Sequence, residues 1–119
     1  GTDLDENAIT AVHENLEANG IPEEKFGVVQ GNIIDEKEVQ DAAGYECYDI
    51  AVANILADVI ILIQEEVPVH LKPGGIFITS GIIDMKEQAV KEALSRNDAF
   101  EILETTRQGE WVSITARKR

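Results

Sequence analysis

Two acidic residues stand close together at the start of the chain, in the pattern GTDLD at residues 1–5. If a strand ends at Asp3, its carboxylate can accept two hydrogen bonds from a ribose diol, with Leu4 against the adenine face. Asp5 would then cap the following helix. For this pattern alone the structural alternative, in which both aspartates cap a helix or solvate a loop, is the more common one. Asp3 and Leu4 are therefore candidate nucleoside-binding residues that need further context.

Two asparagines follow short apolar runs in a similar way. Asn54 ends the run YDIAVAN, and its uncharged amide suits holding an amine whose lone pair must stay free. A helix N-cap is an equally good account of Asn54. Asn32 follows the Gln30-Gly31 turn and has the groups to bond the edge of an adenine, although an ordinary turn asparagine is the simpler account. Both asparagines are candidate ligand-binding residues.

The other reactive side chains lack partners at a useful spacing. Neither His13 nor His70 has metal-ligand residues near it in sequence, and no Cys-His pattern accompanies Cys47. The sequence therefore predicts no metal site and no catalytic nucleophile. We expect Trp111 to pack in the core or at an interface.

The composition is strongly acidic, with 10 Lys plus Arg against 23 Asp plus Glu in 119 residues and a formal net charge of −13. This length suits one globular domain. The acidic balance argues against nucleic-acid binding, which needs clustered Lys and Arg, and favours a basic partner. No stretch approaches the roughly 18 consecutive apolar residues of a membrane span, and a single cysteine excludes an internal disulfide. We expect a cytoplasmic protein.

Short apolar runs alternate with amphipathic segments, which predicts an α/β fold of order β-α-β-(α)-β-α-β-α-β-β. Such alternation is typical of a mostly parallel sheet with helices on both faces. Ligands bind these sheets at the carboxyl ends of strands, where Asp3, Asn32, Asn54 and Ser80 are expected. After the strand that ends at Asp3, the predicted strands cover 26–30, 48–53, 76–80, 100–107 and 110–116; the predicted helices cover 6–19, 56–67 and 85–96, with 35–43 a surface helix or loop.

Three of the predicted strands carry additional information about the sheet. The run 48–53 is nearly continuous in apolar residues, as expected of a strand covered on both faces in a parallel sheet. The last two strands are separated by only Gln108 and Gly109, and a connection that short requires them to be antiparallel. The sheet is therefore expected to be mostly parallel with a C-terminal antiparallel hairpin.

Four segments together resemble one family: GTDLDENAI, YDIAVANILADVI, LKPGGIFITSGI and GEWVSITARK. Over essentially its whole length the chain is similar to the C-terminal part of the ribosomal protein L11 methyltransferases (PrmA type), which are Rossmann-like, class I S-adenosylmethionine-dependent methyltransferases. Acidic strand ends and KPGG turns occur in many methyltransferases. The combination of the ANILA run with SGI and then GEW is a much more specific signature of this one family.

The resemblance implies S-adenosyl-L-methionine as cofactor and methylation of lysine and α-amino groups of ribosomal protein L11. It implies that Asp3 binds the ribose hydroxyls and that Asn54 lies at the methionine end of the cofactor, near the target amine. Leu4 and Asn32 would neighbour the adenine by looser analogy. The resemblance implies neither a metal, nor a membrane, nor direct nucleic-acid binding.

The family's first strand, its glycine-rich loop and its separate N-terminal substrate-recognition domain do not occur in this sequence. In the family that strand lies between the strands that end here at Asp3 and Asn54. We therefore expect residues 1–119 to be a partial methyltransferase domain that alone neither binds the cofactor well nor methylates a substrate, while the parent protein does both. Exposed strand edges invite pairing with another chain, so self-association of the fragment is expected.

Three alternatives stay open from the sequence. A class I methyltransferase with a different substrate is disfavoured by the ANILA run. A nicotinamide-dependent oxidoreductase would also bind the ribose of its cofactor through an acidic residue at a strand end. The terminal hairpin and the Asn54 segment disfavour this alternative. A non-catalytic Rossmann-like interaction module is supported only by the missing glycine-rich loop.

Overall fold

The computed structural model describes residues 1–119 and divides them into two compact units, Gly1–Gly44 and Tyr45–Arg119. The α/β class agrees with the prediction, and so does the element order except at 56–67, where two helices replace the predicted one. None of the helices has the length and apolar character needed to cross a bilayer. The strands are β1 (Thr2–Asp3), β2 (Val29–Gln30), β3 (Tyr48–Asn54), β4 (Leu71–Ile83), β5 (Phe100–Gln108) and β6 (Trp111–Lys118). The helices are α1 (Glu6–Ala18), α2 (Lys37–Ala43), α3 (Ala57–Ile63), α4 (Val67–His70) and α5 (Glu87–Arg96).

The first unit pairs two short strands with two helices. β1 and β2 are parallel, with Asp3 beside Gln30. Helix α1 begins as predicted, because the Asp5 side chain accepts a hydrogen bond from the Asn7 N–H at 2.9 Å and so satisfies one of the unpaired donors at the helix start. The predicted strand at 26–30 is shorter in the structure, and segment 35–43 is a helix over most of its length.

The second unit is built on a four-stranded sheet of order β3-β4-β6-β5. β3 and β4 are parallel, whereas β6 runs antiparallel to both β4 and β5. Gly109 and Glu110 connect β5 to β6, which confirms the predicted antiparallel hairpin within one residue. The hairpin turns back so that its second strand, β6, pairs with β4 and its first strand, β5, forms the edge.

One face of this sheet is covered by α3 and α5. Their apolar residues meet the inner faces of β4, β5 and β6, which removes them from water and stabilises the unit. The buried Thr79 hydroxyl donates to the Ile114 carbonyl at 2.9 Å, so the polar group in this core has a partner. The core residues are Ala57, Ile60, Val67, Leu71, Phe77, Ile82, Val90, Leu94, Phe100, Val112, Ile114 and Ala116.

The prediction of one helix over 56–67 is wrong in detail, since the structure contains two helices, α3 and α4. Pro68 lies in the first turn of α4 rather than beyond a helix end. Proline is tolerated there because the N–H it lacks would have no partner inside the helix. The strand predicted at 76–80 is also longer, with β4 pairing from Leu71 to Ile83.

The expectation that the apolar run of β3 is covered on both faces is also wrong. Ala51 and Ala53 pack against the core, but Ile50 is 57% exposed and Val52 is 68% exposed. The reason is topological, because β4 is the only strand neighbour of β3 and the helices of this unit pack on the other face of the sheet. β3 therefore presents an open edge and an uncovered apolar face.

Candidate functional site

Asp3 ends β1 with its carboxylate held in a turn. Its backbone carbonyl accepts from the Gly31 N–H at 2.8 Å, and its Oδ1 accepts from the Asp5 N–H at 3.0 Å. Both Asp3 and Leu4 are exposed, Leu4 by 65%. The second carboxylate oxygen is thus available to hydroxyl donors. The hydrogen bond from the Asp5 N–H forms the local turn expected of the structural alternative. The Asp3 side chain nevertheless stays exposed.

Asn32 lies next to the end of β2, in the same unit as Asp3 and Leu4. Its Oδ1 accepts from the Ile34 N–H at 2.9 Å, and its backbone carbonyl accepts from the Glu36 N–H at 2.9 Å. These are the bonds of an ordinary turn asparagine. Its side-chain NH₂ group is the part that a ligand acceptor would use. The parallel pairing of β1 and β2 brings the carboxyl ends that carry Asp3 and Asn32 to one edge.

Asn54 is the last residue of β3 and lies opposite Ser80 of β4. The N-cap alternative for Asn54 is wrong, because helix α3 begins at Ala57 with Leu56 as its cap residue and no side-chain cap bond. The carboxamide of Asn54 is exposed at the carboxyl end of the sheet. Its side chain is therefore not engaged in capping the helix that follows it.

Apolar side chains follow Asn54 directly. Leu56 is 75% exposed and Ile55 is 36% exposed, although both are large hydrophobic residues. An aliphatic stem such as that of lysine can lie on apolar surface while its amine remains at the polar end. The surface after β3 thus combines an amide with apolar neighbours.

Gly81 lies beside Asn54 and was not identified from the sequence as a functional residue. A β-carbon at this position would overlap Oδ1 of Asn54, and the Gly81 backbone has φ +74°. The pairing of β4 with β6 shifts register between Thr79 and Ile82, so Gly81 lies in a bulge. The available signal was the SGI segment, in which a glycine directly follows the predicted end of a buried strand.

A charge cluster that the sequence did not reveal joins α5 to β5. The Glu87 carboxylate, with its side chain 11% exposed, accepts from Arg107 Nε at 2.7 Å and Lys91 Nζ at 2.8 Å, and it also bonds Arg107 Nη2. The hydrogen bonds from Arg107 and then Lys91 lower the pKa of Glu87 to about 2, and the same carboxylate raises the pKa of Arg107. Glu87 and Arg107 also border a shallow cavity of about 490 Å³.

The contacts of His70 are those of a residue that packs within the fold. His70 is buried, lies 2.7 Å from Glu66 through Nε2, and stacks on Tyr45 at 5.3 Å between ring centroids. No group of three or more His, Cys, Asp or Glu side chains is arranged to hold a metal ion. Trp111 is 52% exposed, so of the two expectations core packing is wrong and packing at an interface stays a prediction.

The candidate residues fall into both units of the chain. Asp3, Leu4 and Asn32 belong to the unit Gly1–Gly44, where the β1–β2 pairing brings their strand ends together. Asn54 belongs to the unit Tyr45–Arg119, where it lies with Ser80 and Gly81.

The chain matches known proteins along its whole length. The family model for ribosomal protein L11 methyltransferase (PrmA) matches residues 1–119. The chain is 56% identical over 119 residues to the ribosomal protein L11 methyltransferase of Lachnospira eligens, covering all of this chain and 37% of that protein. It is 49% identical over 118 residues to the one of Agathobacter rectalis, covering 99% of this chain and 36% of that protein.

A solved structure agrees with this match. The crystal structure of ribosomal protein L11 methylase from Lactobacillus delbrueckii subsp. bulgaricus superposes with a TM-score of 0.83 at 28% sequence identity, covering 99% of this chain and 56% of that chain. The present chain spans little more than a third of the length of its two curated relatives. With the family model matching every residue, the chain belongs to the ribosomal protein L11 methyltransferase (PrmA) family.

Proposed function

We propose that the complete gene product, meaning the whole reading frame that contains residues 1–119, methylates lysine and α-amino groups of ribosomal protein L11 with S-adenosyl-L-methionine. The observation that carries the proposal is the family match over all of residues 1–119. The position of Asn54 supports it, because an amide not used as a helix cap stands at the carboxyl end of β3. The net charge of −13 also favours a lysine-bearing partner.

The residues at the strand ends fit this cofactor. The Asp3 carboxylate would accept hydrogen bonds from the two ribose hydroxyls through oxygen atoms at the end of β1. The exposed Leu4 side chain would lie against the adenine face, and the Asn32 NH₂ group would donate to an adenine edge. Asn54 would lie at the methionine end.

When bound, S-adenosyl-L-methionine supplies a methyl group on a positively charged sulfur. Asn54 would accept a hydrogen bond from the neutral acceptor amine and so orient the nitrogen lone pair toward the methyl carbon. The amine nitrogen would thereby be positioned to take the methyl group, and the proton that it loses on methylation would pass to water. Ile55 and Leu56 would hold the aliphatic stem of the substrate, so positioning supplies most of the rate acceleration.

We further propose that residues 1–119 are part of a larger methyltransferase domain in the cytoplasm, where ribosomal protein L11 is available. The open edge of β3 supports this, since Ile50 and Val52 would be covered by a neighbouring strand and helix from the rest of the domain. Residues 1–119 produced alone would then bind the cofactor poorly. They would also self-associate through the edge of β3.

The direct test is mass spectrometry of ribosomal protein L11 incubated with the complete gene product and S-adenosyl-L-methionine. We expect mass increments of whole methyl groups on lysine-bearing or N-terminal peptides, and none when the methyl donor is replaced by its demethylated product. Absence of increments on L11 contradicts the proposal. Thermal-shift measurements then separate the alternatives, because stabilisation by the methyl donor indicates another methyltransferase and stabilisation by NAD indicates an oxidoreductase.

A further inference from the structure

We propose that Gly81 is a positioning residue that holds the carboxamide of Asn54 in its working orientation at the end of the sheet. The inference rests on the proposed function, in which Asn54 contacts the acceptor amine. It adds a residue on a second strand to the site and assigns it a role through its lack of a side chain.

The register of the two parallel strands places these residues together. Asn54 pairs with Ser80, the residue before Gly81. A β-carbon at position 81 would overlap Oδ1 of Asn54 and would lie 3.6 Å from its Cγ and 3.9 Å from the Ile55 carbonyl oxygen. Any side chain at position 81 would therefore force the Asn54 carboxamide to move.

The backbone of β4 is shaped for this contact. Pairing with β6 is regular up to Thr79 and resumes at Ile82, which leaves Ser80 and Gly81 in a bulge. Gly81 has φ +74°, a conformation that residues with a β-carbon rarely adopt. A bulge redirects the chain locally, and here it places Gly81 where a β-carbon would overlap the carboxamide oxygen of Asn54.

The contact matters because Asn54 is exposed and is not held by a helix cap. An exposed side chain samples several rotamers, and only some of them would direct the amide toward an acceptor amine. The lack of a β-carbon at Gly81 lets Oδ1 occupy a position that any other residue there would block. Positioning of this kind acts on the chemical step more than on cofactor affinity.

The test compares Gly81→Ala with Gly74→Ala in the complete gene product. Gly74 is a matched control, because it has φ +81° and nothing within 4 Å of its β-carbon position. Both substitutions strain the backbone similarly, but only the first displaces Asn54. For methylation of ribosomal protein L11 we expect kcat to fall on the order of 100-fold in Gly81→Ala, with the KM for S-adenosyl-L-methionine nearly unchanged. An unchanged kcat overturns the proposal.

A double-mutant cycle distinguishes positioning from loss of folding. In an Asn54→Ala background the β-carbon at position 81 has no carboxamide to displace, so Gly81→Ala should lower kcat no more than Gly74→Ala does. If Gly81→Ala lowers kcat as strongly in that background as in the wild type, Gly81 acts independently of Asn54 and the proposal is wrong.

A spectroscopic measurement separates this inference from the proposed function. The side-chain NH₂ resonances of Asn54, assigned by their loss in Asn54→Ala, should shift in Gly81→Ala and stay in place in Gly74→Ala. Resonances that Gly81→Ala leaves in place contradict the positioning role, whether or not the protein methylates L11. A protein that shows the shift but leaves L11 unmodified retains the contact and contradicts the proposed function.

Discussion

Asp3 and Asp5 are two residues apart, carry the same charge and make different contacts. Asp5 caps helix α1 through its bond from the Asn7 N–H at 2.9 Å. Asp3 accepts from the Asp5 N–H at 3.0 Å with one oxygen and keeps the other exposed at the end of β1. One aspartate thus caps the helix, and the other leaves the carboxylate oxygen on which the proposed ribose contact depends.

This difference predicts that two alanine substitutions in the complete gene product affect different quantities, cofactor affinity for Asp3→Ala and stability for Asp5→Ala. Asp3→Ala should raise the Kd for S-adenosyl-L-methionine at least about tenfold, because it removes charged hydrogen bonds to the ribose. Asp5→Ala should destabilise the fold by about 1 kcal/mol through loss of the cap and leave the Kd nearly unchanged. Calorimetric titration and thermal unfolding measure the two effects, and an unchanged Kd for Asp3→Ala removes Asp3 from the cofactor site.

The residue types predicted some of these roles but not others. The Asp5 cap follows from an aspartate directly before an amphipathic helix, and the structure confirms it. For Asn54 the sequence left the cap and ligand roles open, since the choice depends on where α3 starts. The closeness of Gly81 to Asn54 depends on a bulge created by pairing with β6. The SGI segment shows the glycine but not the strand pairing that produces the bulge.

The cluster formed by Glu87, Lys91 and Arg107, here called the Glu87 cluster, fixes the start of α5 to strand β5. Glu87 lies in the first turn of the helix, where a negative charge also interacts favourably with the helix dipole. Arg107 comes from β5 and Lys91 from the next turn of α5. The carboxylate thereby links consecutive elements through residues that are 20 positions apart.

This cluster predicts a pH dependence of stability. The pKa of Glu87 is lowered from 4.5 to about 2, mainly by the hydrogen bond from Arg107. A depressed pKa means that the ionised carboxylate stabilises the fold above its ordinary pKa and that this stabilisation is lost as pH falls toward about 2. The free energy of unfolding of the complete gene product should therefore exceed that of Glu87→Gln most at neutral pH, and the difference should shrink across this range.

Urea unfolding at a series of pH values measures that difference. Glu92→Gln is a suitable control, because it removes an exposed carboxylate from the same helix and should change the free energy of unfolding by less than about 0.5 kcal/mol. A difference between wild type and Glu87→Gln that stays constant with pH contradicts the assignment.

The order and type of the elements were predictable, but the break between α3 and α4 was not. The apolar spacing runs through residues 56–67 without interruption. In the structure the Gln64 side chain is buried and accepts from Asn97 Nδ2 at 2.7 Å, which ties the end of α3 to the end of α5. A helix end stabilised by a residue 33 positions away cannot be seen in the local pattern.

The face of β3 that carries Ile50 and Val52 is apolar and is left uncovered by the rest of the chain. Ile50 and Val52 pair in register with Ile76 and Ile78 of β4, so four apolar side chains lie together on the face opposite to α3 and α5. Burial of such a face is favourable in proportion to its apolar area. The sequence predicted this strand but not its exposure, because a continuous apolar run at 48–53 is typical of a strand covered on both faces and the structure covers only one.

Residues 1–119 produced alone should therefore associate with themselves, as proposed above. Val52→Lys places a charge on the open face and should shift the population measured by analytical ultracentrifugation toward monomer. Met85→Lys is the control, because Met85 is 81% exposed and lies outside β3. A wild-type chain that is monomeric at the same concentration contradicts self-association through this strand.

We propose above that residues 1–119 carry cofactor-binding residues, Asp3 among them, and need the remainder of a larger domain to bind S-adenosyl-L-methionine. Calorimetric titration of S-adenosyl-L-methionine into the complete gene product, beside residues 1–119 alone, tests it most directly. We predict saturable binding to the complete gene product and much weaker binding, or none, to residues 1–119. Absence of binding to the complete gene product, or equal affinity for both proteins, would contradict the account.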